Sequence, residues 1–292
     1  SVFRAAEWFE ARAGAKDTQG LHKVAEEFNG SKRYADFALA LLRKIEDANT
    51  TAAMRSYEKK QHRRWGVIID DGTGREVNYR ADDQFETSSI IKLPIAMLVC
   101  HEIEASRLKR TQRITITKEH LSNGSGILVK DAAVVGTSFT LARLIALNII
   151  ESDCVATNCL IMVLGGKERV NTLLSTVLGM NATWLEMEKI FFYDERVRES
   201  VGTSTPADMM RALSWLENQE GSMYEELRKY LTLNRRSYVA LSTPIPFEHI
   251  RSKTGTTWWG QGQRQVVVNE AGYIKGGTQF VLCSEGTLED KA

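Results

Sequence analysis

An α+β fold is what this 292-residue sequence predicts, on three observations. Strand-like runs sit toward both ends of the chain, a long block of helical periodicity lies between them, and strands do not alternate with helices as a βαβ pattern would require. Two strands, a helical block and three further strands imply one five-stranded antiparallel sheet closed by distant parts of the chain, with an all-helical subdomain inserted at about residues 100–235.

The elements follow in order. Residues 1–61 read as an N-terminal helical extension, over 2–13, 22–28 and 34–47, broken at Asn29-Gly30-Ser31. The last of these carries Phe37, Leu39, Leu41, Leu42 and Ile45 and is expected to cover the outer face of the sheet. The charged run 55–64 reads as a solvated helix face. Residues 62–292 form the second unit. Trp65-Gly-Val-Ile-Ile-Asp70 is a strand, Asp71-Gly72-Thr73-Gly74 a turn, and 76–80 a returning strand. Helices follow at 139–150 with Thr140 as cap, at 155–164 before Gly165-Gly166, and at 170–178 before Gly179. Thr205-Pro206-Ala207-Asp208 and Ser222-Met-Tyr-Glu225 each open another helix. Strands return at 249–253, 265–269 and 278–283, the last two separated by the turn Gly276-Gly277.

Between the first strand pair and the helical block stands Ser89-Ile90-Ile91-Lys92. Residues three apart share a helix face, so the hydroxyl and the amine can meet. A lysine among Ile90, Ile91, Leu93 and Ile95 is partly desolvated, which suits its amine to act as base for that hydroxyl. A serine opening a helix also presents its own N–H toward whatever it attacks. The spacing alone proves little, because Ser56-Tyr57-Glu58-Lys59 fits the same template in a polar setting.

Composition narrows the function classes. The 38 Lys and Arg against 37 Asp and Glu leave a net charge of +1, which offers no electrostatic basis for nucleic acid or an anionic membrane surface. No apolar run reaches the roughly 18 residues of a membrane-spanning helix. The N-terminal residues lack the layout of a secretory leader and lack a Met, which leaves the compartment open. Cys100, Cys154, Cys159 and Cys283 lie in or beside apolar stretches and read as buried thiols. With no Cys-x-x-Cys and no His-x-x-x-His, a structural zinc site is not expected.

Three motifs line up: Ser89-Ile90-Ile91-Lys92, then Ser152-Asp153 in the helical block, then Lys253-Thr254-Gly255-Thr256 ending a strand. Their order resembles the penicillin-recognising serine hydrolases, most closely the class A β-lactamase family. Supporting it are Gly124-Ser125-Gly126, Ile150-Glu-Ser-Asp-Cys-Val-Ala-Thr-Asn158 and Thr203-Ser204-Thr205-Pro206, so the resemblance covers about residues 65–285. It implies a β-lactamase-like fold and an acyl-enzyme on a lactam or amide. Ser89 would be nucleophile, Lys92 its base or proton relay, and Ser152 the group passing a proton to the leaving nitrogen beside Lys253. Thr254 would hold a substrate carboxylate, and the N–H groups of Ser89 and Thr256, either side of Gly255, would form the oxyanion hole. Asp153 would brace the Ser152 loop, and Asn158 would tie the helical block to the floor of the site.

The sequence departs from the family at three site positions. Cys154 stands where the family has an asparagine that contacts the substrate's side-chain amide, and a thiol is a weak hydrogen-bonding group, so recognition of an acylamino substituent should fall. The loop before Thr203 lacks the family's proline and asparagine. Glu188, with Glu186 as second candidate, would be its water-activating carboxylate, although a plain surface carboxylate is the favoured reading for both. Arg264 would support the substrate carboxylate, and Trp258-Trp259 would wall the entrance.

The expected activity is β-lactamase-like hydrolysis of a small-molecule lactam or amide, with no cofactor or metal. A DD-peptidase, amidase or esterase acting on another acyl substrate is the alternative among enzymes. A binder or sensor that β-lactams acylate and that releases them slowly is the alternative of another class. The resemblance implies a monomer in the periplasm or secreted, with a cytoplasmic location left open.

Overall fold

The computed structural model describes residues 50–289 apart from 74, 190–199, 235, 244 and 260–262. The helices expected over 2–13, 22–28 and 34–47 lie outside the described residues.

A five-stranded antiparallel sheet organises the rest. It is built from β1 (Arg63–Asp70), β2 (Glu76–Tyr79), β8 (Ile250–Trp259), β9 (Gln263–Ile274) and β10 (Thr278–Glu289), in the order β2-β1-β10-β9-β8. Strand β1 pairs with β10 from Arg63 opposite Gly286 to Asp70 opposite Gln279, so the two sides of the chain close the sheet. The last three strands run longer than the sequence pattern implied. Lys253-Thr254-Gly255 therefore lies inside β8, which continues to Trp259, and does not end it. The reason is pairing: β8 and β9 stay in register from Ile250–Ile274 out to Trp259–Gln265, beyond the apolar alternation that marks a strand in sequence.

Between β2 and β8 come the smaller elements. Strand β3 (Phe85–Glu86) joins β6 (Trp184–Leu185) and β7 (Gly202–Ser204) in a three-stranded sheet, and β4 (Arg113–Thr115) pairs with β5 (Ser138–Thr140). Sequence periodicity showed none of these five, because strands of two or three residues have no period to read. The helices are α1 (Thr50–Gln61), α2 (Lys92–Glu104), α3 (Leu141–Ile150), α4 (Cys154–Val163), α5 (Lys167–Leu178), α6 (Pro206–Glu217), α7 (Ser222–Thr232) and α8 (Tyr238–Ser242). Thr140 caps α3 by accepting from the Arg143 N–H, and Gly179 ends α5 in the left-handed region at φ 67°. Among the described residues no helix is long and apolar enough to cross a membrane.

The sheet separates two cores. One face, through Ala271, Tyr273, Val281 and Cys283, packs against α2–α7. Helix α2 sits at the centre of that layer and is buried at every position from Lys92 to Cys100, as a helix surrounded by other helices must be. The opposite face, through Trp65, Val67, Ile69, Val268 and Leu282, packs against Met54 of α1 and the segment from Tyr238 to Ile245. Within the described residues it is α1 and α8 that cover this face. Strand β1, enclosed on both sides, therefore reads as a nearly continuous apolar run. Gly66 is required there, since a Cβ would stand 2.4 Å from the Phe85 ring and 2.7 Å from Pro206.

Helix α1 confirms part of the charged-face reading and corrects its end. Ser56 and Lys59, the second Ser-x-x-Lys match, are both exposed. Arg63, at the end of the charged run, is buried and donates to the Val266 carbonyl and the Ser284 hydroxyl. Glu58 on the same helix accepts from the Trp65 N–H, the Tyr79 hydroxyl and Arg80, which fastens α1 to β1 and β2. Met54→Ala should then cost about 2 kcal/mol in urea unfolding, the lower end for a buried methionine. A loss below about 0.5 kcal/mol, typical of a surface position, would mean that α1 does not cover the sheet.

Candidate active site

The site is assembled where α2, the α3–α4 junction and the edge strand β8 meet. Ser89 lies on a 3₁₀ turn, Ser88–Ile91, that leads directly into α2, and the Lys92 N–H bonds back to the Ser89 carbonyl. In a 3₁₀ turn residues three apart eclipse, so Ser89 and Lys92 share one side. The turn is braced from three directions. Thr87 donates through its N–H and its hydroxyl to the Gly202 carbonyl, Thr257 of β8 donates to the Ser88 hydroxyl at 2.6 Å, and Asn269 of β9 donates to the carbonyls of Glu86 and Thr87. These contacts hold Ser88 at φ 46°, a conformation a non-glycine residue adopts only when its surroundings impose it.

Lys92 has no exposed surface, and its amine reaches across to the α3–α4 junction. It donates to the Ser152 carbonyl at 2.5 Å and lies 3.2 Å from both the Ser152 hydroxyl and the Cys154 thiol. Lys253, equally buried, places its amine 3.0 Å from the same Ser152 hydroxyl and 2.6 Å from the Thr254 carbonyl. Two lysine amines thus converge on one serine. Burial, then the charge of Lys92, then that of Arg236, holds the Lys253 amine well below the ordinary lysine range.

Ser152 is itself in the left-handed region, at φ 53°. Its carbonyl also accepts from Ser125 at 2.6 Å, and the Ser125 carbonyl accepts from the Cys154 N–H. Asp153 caps α4 by accepting from the Ala156 N–H and reaches the Leu128 N–H with its other oxygen. Burial pushes its carboxyl up, and the N–H donors of Ala156 and Leu128 oppose that. Gly126 packs so tightly on this aspartate that a Cβ would come within 2.3 Å of the carboxylate. Below, Asn148 donates to the Lys92 carbonyl and accepts from Thr157, which joins α2, α3 and α4 at the root of Lys92. Asn158 donates to the His120 carbonyl, fixing α4 to the Lys118–His120 turn.

Strand β8 closes the opposite side. A Cβ on Gly255 would stand 2.8 Å from the backbone nitrogens of both Ser89 and Ile90, so the strand can approach the Ser88–Ile91 turn only because this residue is glycine. Being at the sheet edge, β8 turns alternate N–H groups away from β9. Thr254 is buried at the rim, and the Thr256 hydroxyl is held by the Tyr238 hydroxyl.

The two candidate carboxylates of the loop lie at the surface. Glu188 forms an exposed ion pair with Lys167 at 3.4 Å, its side chain 70% accessible, and Glu186 is exposed as well. Helix α5 supplies the lysine that draws Glu188 to the surface. Arg264 lies on β9 opposite Leu288, and its side chain, like those of Trp258 and Trp259, is outside the described residues. Sequence reasoning missed Asn148, Tyr238, Asn269 and Glu270. Only the last two left a signal: two polar residues side by side in Val266-Val267-Val268-Asn269-Glu270-Ala271, where a buried strand should be apolar.

The match to known proteins agrees with this geometry. Residues 48–285 match the Beta-lactamase enzyme family. The chain belongs to that family. Among curated members, Beta-lactamase ROB-1 of Haemophilus influenzae is 29% identical over 206 residues, which cover 70% of this chain and 64% of ROB-1. The chain thus spans slightly under two thirds of that relative's length. Beta-lactamase CTX-M-8 of Citrobacter amalonaticus is 30% identical over 156 residues, 53% of this chain and 49% of that protein. Among solved structures, an ancestral class A β-lactamase matches at a TM-score of 0.64 with 25% identity, over 83% of this chain and 92% of its own. The β-lactamase from Streptosporangium roseum matches at 0.67 with 23% identity, over 84% and 92%. The fold is that of the class A β-lactamases.

Gly255→Ala tests the close approach of β8. It should lower stability by about 1–3 kcal/mol, the usual range for overpacking, and should widen the gap between Ser89 and β8. Thermal unfolding with an activity assay checks this, and unchanged values in both would show that the contact is not tight.

Proposed function

We propose that this protein is a serine acyl-hydrolase that opens a β-lactam, or a related amide, through an ester on Ser89. The observation that carries the reading is the convergence of the Lys92 and Lys253 amines on the Ser152 hydroxyl, at 3.2 and 3.0 Å. In the first step the Ser89 oxygen bonds to the carbonyl carbon and gives its proton to Lys92. The developing oxyanion is met by the N–H groups of Ser89 and Thr256, each such donor worth about 2.7–4 kcal/mol. The carbon–nitrogen bond then breaks. Ser152 gives its proton to the departing nitrogen and is reprotonated from the lysine pair. Lys253 and Thr254 hold the substrate carboxylate. Water then cleaves the ester, releasing the ring-opened acid and restoring the serine. That ROB-1, CTX-M-8 and the ancestral enzyme are β-lactamases supports a lactam as substrate.

A second reading rests on Glu188. With that carboxylate committed to Lys167 at the surface, acylation stands on firmer ground than release, and a slowly released adduct would suit a β-lactam sensor. The same cluster would also serve a DD-peptidase, amidase or esterase.

Intact-mass spectrometry after mixing with penicillin G separates these. A hydrolase should show an adduct that decays within turnover time, whereas a sensor holds it. Ser89→Ala should abolish the adduct entirely, and an adduct that survives the substitution would overturn the mechanism. The pH dependence supplies a separate check. A cationic Lys253 is present below its midpoint and lost as pH rises through it, and burial with Lys92 sets that midpoint well below the 10.5 of an ordinary lysine. Acylation kcat/KM for a carboxylate-bearing lactam should therefore fall on the alkaline side well before pH 10.5. The same lactam with its carboxylate esterified should lack that limb.

A further inference from the structure

Glu270 has no place in any of the three motifs, yet it is, like Asp153, a fully enclosed carboxylate near the site. It lies on β9 with no exposed surface and is the register partner of Thr254 on β8. Its two oxygens accept from the Ser252 hydroxyl at 2.6 Å, the Ser237 hydroxyl at 2.6 Å and the Val239 N–H at 2.9 Å. Burial pushes its carboxyl up, and the Ser237, Ser252 and Val239 donors oppose that. The Ser237 oxygen already accepts from the Ala240 N–H as the cap of α8, so its own hydrogen is free to go to Glu270. The Val239 N–H can only donate. A cradle of donors stabilises an anion.

We propose that Glu270 is a buried anion that serves as counter-charge and positioning residue for Lys253. Its carboxylate bonds the side chain of Ser252, immediately before Lys253, and its backbone is in register with Thr254, immediately after. It also joins α8, which carries the Tyr238 that holds Thr256, to the edge strand. The carboxylate thereby ties Ser252, ahead of Lys253, to α8, whose Tyr238 holds Thr256. The titratable groups that act on Lys253 are Lys92 from α2, Arg236 ahead of α8, Cys154 from α4 and Glu270 from β9. Lys92 and Arg236 favour loss of its proton, and Cys154 and Glu270 favour its retention. Of the four, only Glu270 is bonded to the backbone neighbour of Lys253.

This rests on the acyl-hydrolase reading only for its purpose; the counter-charge itself can be measured without a substrate. Protein carrying [ε-¹³C]lysine would be titrated by NMR, with the Lys253 signal assigned by its absence in Lys253→Arg. In Glu270→Gln the Lys253 midpoint should fall by about one pH unit, the lower end of what a neighbouring opposite charge does. An unmoved midpoint in a protein that still unfolds cooperatively would overturn the proposal and leave Glu270 a structural cap. If Glu270→Gln fails to fold, Ser252→Ala serves in its place, because it removes the hydroxyl beside Lys253 and leaves the Ser237 and Val239 bonds intact. Its Lys253 midpoint should also shift, and an unmoved one counts against the proposal. Penicillin G that acylates neither wild type nor variant, together with a moved Lys253 midpoint, would remove the lactam reading and sustain this one.

Discussion

Two amines that must share one hydroxyl set the terms for the rest of the molecule. The Lys92 and Lys253 nitrogens stand 3.2 and 3.0 Å from the Ser152 oxygen, so they can be at most 3.2 + 3.0 = 6.2 Å apart. At that separation two full charges repel by about 2–3 kcal/mol at the effective dielectric that suits protein sites. A fold that places them so close must discharge one or hold both by other means. Each side chain is therefore surrounded by acceptors and anchors: the Ser152 carbonyl for Lys92, the Thr254 carbonyl for Lys253, and Asn148 fixing the backbone at the root of Lys92. The repulsion also makes proton movement between them easy, since a proton leaving one amine relieves its neighbour.

The backbone is strained where this geometry demands it. Ser88 and Ser152 both sit at positive φ, next to the two ends of the cluster, and each is held by contacts from a different element. Such conformations cost of order 1–3 kcal/mol apiece and persist only where their surroundings over-determine them. Strand β9 carries much of that load without contributing a reacting group. Because successive side chains on a strand point to opposite faces, Asn269 reaches the turn before Ser89 while Glu270 reaches the strand of Lys253 from behind.

How much of this was legible follows from what each residue needs. Ser89, Lys92, Ser152 and Lys253 could be found because their chemistry fixes their order and type, and the exposed Ser56–Lys59 pair shows that spacing without a desolvating context carries nothing. The sheet was legible because β1 and β10 are apolar on both faces. The ion pair of Glu188 could not be read from sequence because loop carboxylates are oriented by three-dimensional neighbours, and Lys167, 21 positions earlier, is invisible to a local pattern. The short strands β3 to β7 were missed because their partners, not their residues, make them strands. Asn269 and Glu270 were visible as an anomaly, but only the structure shows whom they serve.

The pairing of β1 with β10 has a consequence for how the chain reaches this state. Arg63 lies opposite Gly286, 286 − 63 = 223 residues away, with the helical layer threaded between them. During synthesis the first strand must wait for the last, exposed along both edges except where β2 covers one. Loop closure over such a span is slow, and topologies dominated by distant contacts fold slowly as a class. The helices of the insertion, built from near neighbours, can form first and present a surface on which the late strands dock. The Ser89 turn lies early in the chain and Lys253 late, so the cluster they form with Ser152 is one of the last things to exist.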